Sequence, residues 1–176
     1  MTSVVAHFPP TTTAPATLSI KQKVVDLLRQ GNAHVMAPTR DMRRMGIDLW
    51  GIYPSGNNFT LDLRIDREAY ATGNGFIRLS AGGEAGDRQH WQRICAADLI
   101  AYVVPSPDPD EYDVLFLFEP RDLGQKLVEW AGKYPLRSMP RRKFALAKQN
   151  PRTGGTVKGL VVPLEEIHHI SKEFLL

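Results

Sequence analysis

Three charged residues are spaced so that they could do chemistry together. Asp48 lies in GIDLW, and Asp62 and Arg64 alternate with apolar residues in FTLDLRID. Successive side chains of a strand point to opposite faces, so Phe59, Leu61, Leu63 and Ile65 share one face and Thr60, Asp62, Arg64 and Asp66 the other. Two acids on adjacent strands are hard oxygen ligands for a divalent cation. Such a cation binds a phosphate oxygen and lowers the pKa of a bound water. Arg64, two residues beyond the second acid, lies where a positive charge would steady a phosphate or hold the attacking water. A plainer reading stands beside this one. Asp48 and Asp62 are then strand-end acids with Arg64 as an ion-pair partner, because charges on the polar face of a half-buried strand need no functional reason.

A second feature is the distribution of positive charge. The net charge is only +3, yet residues 133–158 hold eight basic residues and no acid. Arg137, Arg141, Arg142, Lys143 and Lys148 are its centre, and such a run suits a polyanion. Pro135, Pro140 and Pro151 interrupt the segment, which predicts a surface loop or arm.

The elements that must position these groups follow from pattern. Residues 1–16, rich in Thr, Pro and Ala, carry no period and read as a tail. Ser19 with Gln22 matches a capping box ahead of Ile20, Val24, Leu27 and Leu28, and predicts a helix over 19–30 that stops at a left-handed Gly31. Strands are expected over 33–37, 46–53 and 59–66, then in GFIRLS, ADLIAYVV and DVLFLF. A second helix follows Pro120, with Leu123, Leu127, Val128 and Ala131 inward and Gly132 as its stop. GLVVPL reads as a late strand and LEEIHHISKEFLL as a terminal helix.

Length and composition bound the rest. A chain of 176 residues with 43% hydrophobic and 23% charged residues is expected to form one domain, over 17–176, with a real core. Cys95 is the single cysteine, which excludes an internal disulfide and suits a reducing compartment. No apolar stretch reaches membrane-spanning length and the first residues lack a signal-peptide pattern, so the cytoplasm is expected.

The order of segments resembles the PD-(D/E)XK phosphodiesterase family, whose core runs helix, three-strand meander, helix, strand. The resemblance covers about residues 21–123. VVDLLRQGNAHVMAP is similar to the opening helix and first strand, GIDL supplies the aspartate as Asp48, and LDLR places Asp62 and Arg64 at the acid and lysine positions. The run of segments is nearest to small intron- or phage-borne endonucleases. The resemblance implies an α/β fold with a restriction-endonuclease-like mixed sheet flanked by helices. It further implies Mg²⁺ held by Asp48, Asp62 and the Leu63 carbonyl, DNA as substrate, and a homodimer in many members. Arg64 departs from the family lysine, and its guanidinium stays charged and cannot serve as a base. The alternative is a catalytically degenerate DNA-binding or accessory protein of the same fold, and a protein-interaction domain is a third, because fold does not dictate function.

Other signals are plainer. Gly73-Asn-Gly75 and Gly82-Gly83 read as loops, since no strand-to-helix context makes them a phosphate cradle. His168 and His169 project about 100° apart on a helix and share no ligand face. His34 reads as a strand residue, and Trp91, near Arg88 and Arg93, as core.

Overall fold

The computed structural model describes residues 19–81, 96–140 and 156–176. The first of its elements is a helix, α1 (Ile20–Gln30), capped by the Ser19 hydroxyl, which accepts from the Gln22 N–H at 3.3 Å. Gln22 does not complete a capping box. Its side-chain amide donates forward to Asp26 at 2.8 Å. The left-handed residue after the helix is Asn32, at φ 60°, and Gly31 keeps an ordinary φ of −76°. Asparagine tolerates that region because its short side chain bonds locally.

Three strands follow in a meander: β1 (His34–Met36), β2 (Leu49–Ile52) and β3 (Asn58–Ile65). Between the first two lies a short helix, α2 (Arg40–Arg44), which the sequence reading passed over although Thr39 caps it and Asp41 sits in its first turn. After β3 come a one-turn helix, α3 (Ala69–Thr72), and β4 (Asn74–Ala81). Then follow β5 (Leu99–Val104), β6 (Val114–Phe118), α4 (Pro120–Lys133), β7 (Leu136–Pro140), β8 (Thr156–Pro163), α5 (Leu164–His168) and β9 (Lys172–Leu175).

Among the described residues, six strands form the main sheet in the order β1-β2-β3-β5-β6-β9, and three form a smaller sheet, β4-β8-β7. The main sheet is mixed. β3 and β5 run parallel, and its other neighbours run antiparallel. β5 is apolar throughout, LIAYVV, as a strand covered on both faces must be. On one face Ala101, Val103, Leu49, Phe59, Leu61, Leu63 and Leu115 pack under Val24 and Val25 of α1. On the other, Ile100, Tyr102, Phe116 and Phe118 pack with Leu123, Leu127 and Trp130 of α4 and with Ile77, Leu160 and Val162 of the small sheet.

Several expected boundaries move. α4 buries Leu123, Leu127 and Trp130, while Val128 is 82% exposed and Ala131 is exposed as well. The i, i+4, i+7 spacing from Leu123 puts Trp130 on the sheet and turns Val128 out. The helix runs through Gly132 to Lys133. The terminal segment is not one helix. α5 ends at His168, and β9 adds to the edge of the main sheet beside β6, where alternation serves Phe174 better than a helical period. Residues 136–140, expected as loop, are strand β7, which pairs with β8.

Asp66, at the exit of β3, joins the two sheets. One carboxylate oxygen accepts from the Glu68 and Ala69 N–H groups at 3.1 and 3.2 Å, and the other from the Phe76 N–H of β4 at 2.8 Å and from the Tyr102 hydroxyl of β5. The residue is 3% exposed and its bonds to Ala69, Phe76 and Tyr102 are buried, so those donors lack water as a substitute. Gly75 makes room for this junction. A Cβ there would lie 2.8 Å from the Tyr102 hydroxyl and 2.5 Å from Ile167. Gly73, at φ 65°, is the left-handed cap of α3, so the Gly73-Asn-Gly75 run serves a turn and a close approach. Asp66→Ala is expected to cost about 3 kcal/mol or more in urea denaturation, because buried donors lose a charged acceptor, whereas Tyr102→Phe should cost about 1–2 kcal/mol. Equal costs for the two would show that the Tyr102 bond, not the carboxylate, ties the sheets.

Candidate functional site

Asp48 is delivered by a short sequence of constraints. α2 ends at Arg44, Gly46 turns the chain at φ 86°, and the Ile47 N–H bonds back to the Met42 carbonyl at 2.9 Å. Ile47 is buried, which pins the entry to β2. Asp48 then donates its N–H to the Leu61 carbonyl at 2.9 Å, and its Oδ2 accepts from the Leu63 N–H at 3.0 Å. The carboxylate thus occupies a place on β3 where a strand carbonyl would otherwise pair.

Asp62 and Arg64 project from the next strand, on the face opposite to Leu61 and Leu63. Arg64 donates from Nε and Nη2 to the same oxygen, Asp62 Oδ2, at 3.1 and 2.9 Å. Both side chains are about one fifth exposed, at 18% and 19%. Asp62 lies beside Ile100 and Arg64 beside Tyr102 on parallel β5. The Thr60–Asp98 pair sets that register: Asp98 Oδ2 accepts from the Thr60 N–H and hydroxyl, each at 2.8 Å.

Asp48 feels both partners. Burial pushes its carboxyl above the ordinary aspartate range, the Leu63 N–H works against that, the Asp62 charge raises it, and Lys21 and Arg64 lower it. Lys21, on the first turn of α1, donates to the Asp48 main-chain carbonyl at 2.9 Å. Sequence reasoning gave Lys21 no role. No local pattern links two residues 27 positions apart, and only the packing of α1 on the sheet brings them together.

Of the residues expected to meet at this site, Asp48 and Asp62 lie on neighbouring chain segments, and the Leu63 N–H donates to Asp48. Asp48 Oδ1 and Asp62 Oδ1 have no protein donor among the described residues. Among those residues no group of three or more His, Cys, Asp or Glu is arranged to hold a metal ion.

The basic segment is only partly described. Lys133 is not an open cation, because Glu166 of α5 accepts from its ammonium at 2.6 Å, and also from the Tyr134 hydroxyl at 2.6 Å and the Trp130 indole at 3.3 Å. These donors hold Glu166 down at about 2 and raise Lys133. The segment itself contains no acid, so its neutralising partner comes from beyond it. Arg137 is exposed on β7, in the cross-strand row with Gly159 and Arg78. Arg141, Arg142, Lys143 and Lys148 lie outside the described residues, as do the tail 1–16, Gly82-Gly83, Arg88, Trp91, Arg93 and Cys95. His34 is exposed on β1, and His168 and His169 are exposed near Glu173 and Glu165.

No protein-family model, curated protein or solved structure matches this chain. No helix among the described residues is long and apolar enough to cross a membrane.

The raised Asp48 carboxyl has a stability consequence. Below its folded pKa the native state holds a proton that the unfolded chain has already begun to release, so ionisation penalises the fold at neutral pH and the penalty fades as pH falls towards 3.8. Asp48→Asn keeps an acceptor for the Leu63 N–H and removes the charge. It is expected to melt above wild type at pH 7, with the gap closing in melts taken towards pH 4. A variant that melts below wild type at pH 7 would mean that the carboxylate charge supports the fold.

Proposed function

We propose that this protein is a metal-dependent phosphodiesterase acting on DNA, with Asp48 and Asp62 as metal ligands. The observation that carries this reading is a partly buried carboxylate kept beside a second one, at a cost that a divalent cation would relieve. Architecture supports the restriction-endonuclease-like form of the fold. A helix precedes an antiparallel three-strand meander, and the next main-sheet strand, β5, lies parallel to the third, with β6 antiparallel beyond it.

The donor set fits a small hard cation. Asp48 Oδ1 and Asp62 Oδ1 are carboxylate oxygens without a protein donor among the described residues, and Mg²⁺ commonly uses one or two carboxylates with water completing its shell. Bound there, Mg²⁺ would supply charge neutralisation at the phosphate and acidify water. In the reaction a water oxygen bonds to phosphorus, the bond to the leaving sugar oxygen breaks, that oxygen gains a proton, and the water loses one to solvent. Arg64 takes no proton from the water, because its guanidinium stays charged. Its part is to hold Asp62 in place and to lend charge to the phosphate.

A second reading rests on that same arginine. Two N–H donors of Arg64, on Nε and Nη2, go to one Asp62 oxygen in a partly buried pair, and a permanently paired Asp62 would leave a DNA-binding or accessory protein without cleavage. Cleavage assays on duplex, branched and single-stranded DNA separate the two. With Mg²⁺ or Mn²⁺ the wild type is expected to cut, chelator to stop it, and Asp62→Ala to lower the rate by at least about 10²-fold. Full activity in chelator or in Asp62→Ala would remove this site from the chemistry. No cleavage by wild type combined with a gain in Arg64→Lys would identify the arginine as the inactivating element.

The basic segment gives a test that does not depend on cutting. Phosphate contacts release counterions, so log affinity falls linearly with log salt at about 0.9 per contact. Replacing Arg141, Arg142 and Lys143 together by alanine is expected to weaken two unrelated duplexes alike and to flatten that slope. Equal slopes for wild type and variant would take these residues out of DNA binding.

A further inference from the structure

Arg64 spends its Nε and one Nη2 donor on a single Asp62 oxygen, which fixes its guanidinium beside that acid. A second cation acts on the Asp48 carboxyl besides Arg64, and it comes from a different layer. Lys21 stands on the exposed first turn of α1 and donates from Nζ to the Asp48 carbonyl at 2.9 Å. That is its one described hydrogen bond, and an ammonium has three donors, so two remain for an incoming anion. The acceptor it uses is the main-chain carbonyl of Asp48, whose carboxylate also feels the Asp62 charge. The ammonium sits on a flexible four-carbon stem, and its charge already acts on the Asp48 carboxyl. A carbonyl is also a weaker partner for an ammonium than a phosphate, because bonds between two ionised groups are shorter and stronger.

We propose that Lys21 is a phosphate-binding residue of this site, leaving the Asp48 carbonyl for a nonbridging oxygen of the DNA phosphate. This rests on the reading of Asp48 and Asp62 as a phosphodiester-cleaving pair. Lys21 supplies charge where negative charge builds on the phosphate, and Arg64 remains the partner of Asp62. The contact strengthens as the phosphate gains charge, so it acts more on turnover than on substrate binding.

The test compares Lys21→Ala, Lys21→Arg and Asp62→Ala in the full chain. Cleavage of duplex DNA is measured in Mg²⁺, duplex affinity against salt in chelator, and thermal melting alongside. Lys21→Ala is expected to lower kcat by about 10²-fold with a much smaller change in KM. Its salt slope should fall by about 0.9, one contact, while its melting temperature stays close to wild type. Lys21→Arg should recover most of the rate, since a cation of similar reach is restored. Lys21→Ala with wild-type kcat and slope overturns the assignment but spares the site, provided Asp62→Ala remains inactive. Equal loss in Lys21→Ala and Lys21→Arg with lowered melting makes Lys21 a structural tether and also overturns it. A wild type that cuts nothing under any metal removes the phosphodiesterase reading and this inference together.

Discussion

The Asp66 carboxylate accepts from four donors on three parts of the chain, and the placement of nearly everything else follows from where it sits. It stands at the end of β3, so the strand bearing Asp62 and Arg64 cannot slide without breaking a buried acceptor away from its donors. A slip of one residue would also turn Asp62 and Arg64 into the layer under α1. Through Tyr102 the same group holds β5 beside β3, and through Phe76 it fixes the start of the small sheet. Burial forces the Tyr102 hydroxyl far above its ordinary pKa, and the Asp66 charge adds to that, so the phenol remains a donor. A buried polar group with all its partners specifies one arrangement; with some of them missing it would favour none.

A related device works in the first turn of α1. Lys23 pairs with buried Asp113 at 2.8 Å, whose second oxygen accepts from the Ser106 N–H. The Asp113 backbone in turn exchanges hydrogen bonds with Leu176. The helix is thereby anchored to the β5–β6 connection and to the last strand, and its first turn is held where Lys21 reaches Asp48. Two neighbouring lysines on one helix thus have different duties. One is tied to a buried acid, and the other is exposed at the candidate site.

That site is built from a strained electrostatic compromise. Asp48 is drawn into partial burial by the Ile47 anchor and by the Leu63 N–H, and Asp62 is set beside it by strand pairing. Arg64 offsets the second charge locally but lies on the same strand, so it cannot also relieve Asp48 in full. The outcome is a pair of carboxylates with unequal environments, and such inequality is characteristic of sites that handle cations and protons. Structural ion pairs can produce it as well, as the Glu166 cluster on α5 does with Lys133, Tyr134 and Trp130. The difference is that Glu166 has donors on both oxygens, whereas Asp48 and Asp62 each keep one oxygen without a protein donor among the described residues.

The local signals that the sequence carries by itself were those with a strong period or a strong cap. Ser19 and the run Val24–Leu28 specified α1, the alternation of FTLDLRID specified β3 and its two faces, and the apolar LIAYVV specified a strand. These depend on side-chain spacing and need no partner to be read. The pairing of Asp48 with Leu63 and the approach of Lys21 depended on tertiary structure, since neither follows from neighbours in sequence. The same holds for β9, where KEFL has too few residues to fix a period and the open edge of β6 decided in favour of a strand. Val128 shows the limit most plainly: its apolar side chain argued for the core, but only the position of Trp130 against the sheet determined which side of α4 was inward. Asp66 read as one more charge on a polar face. It became the junction of two sheets because β4 and Tyr102 brought donors to it that no local pattern could announce.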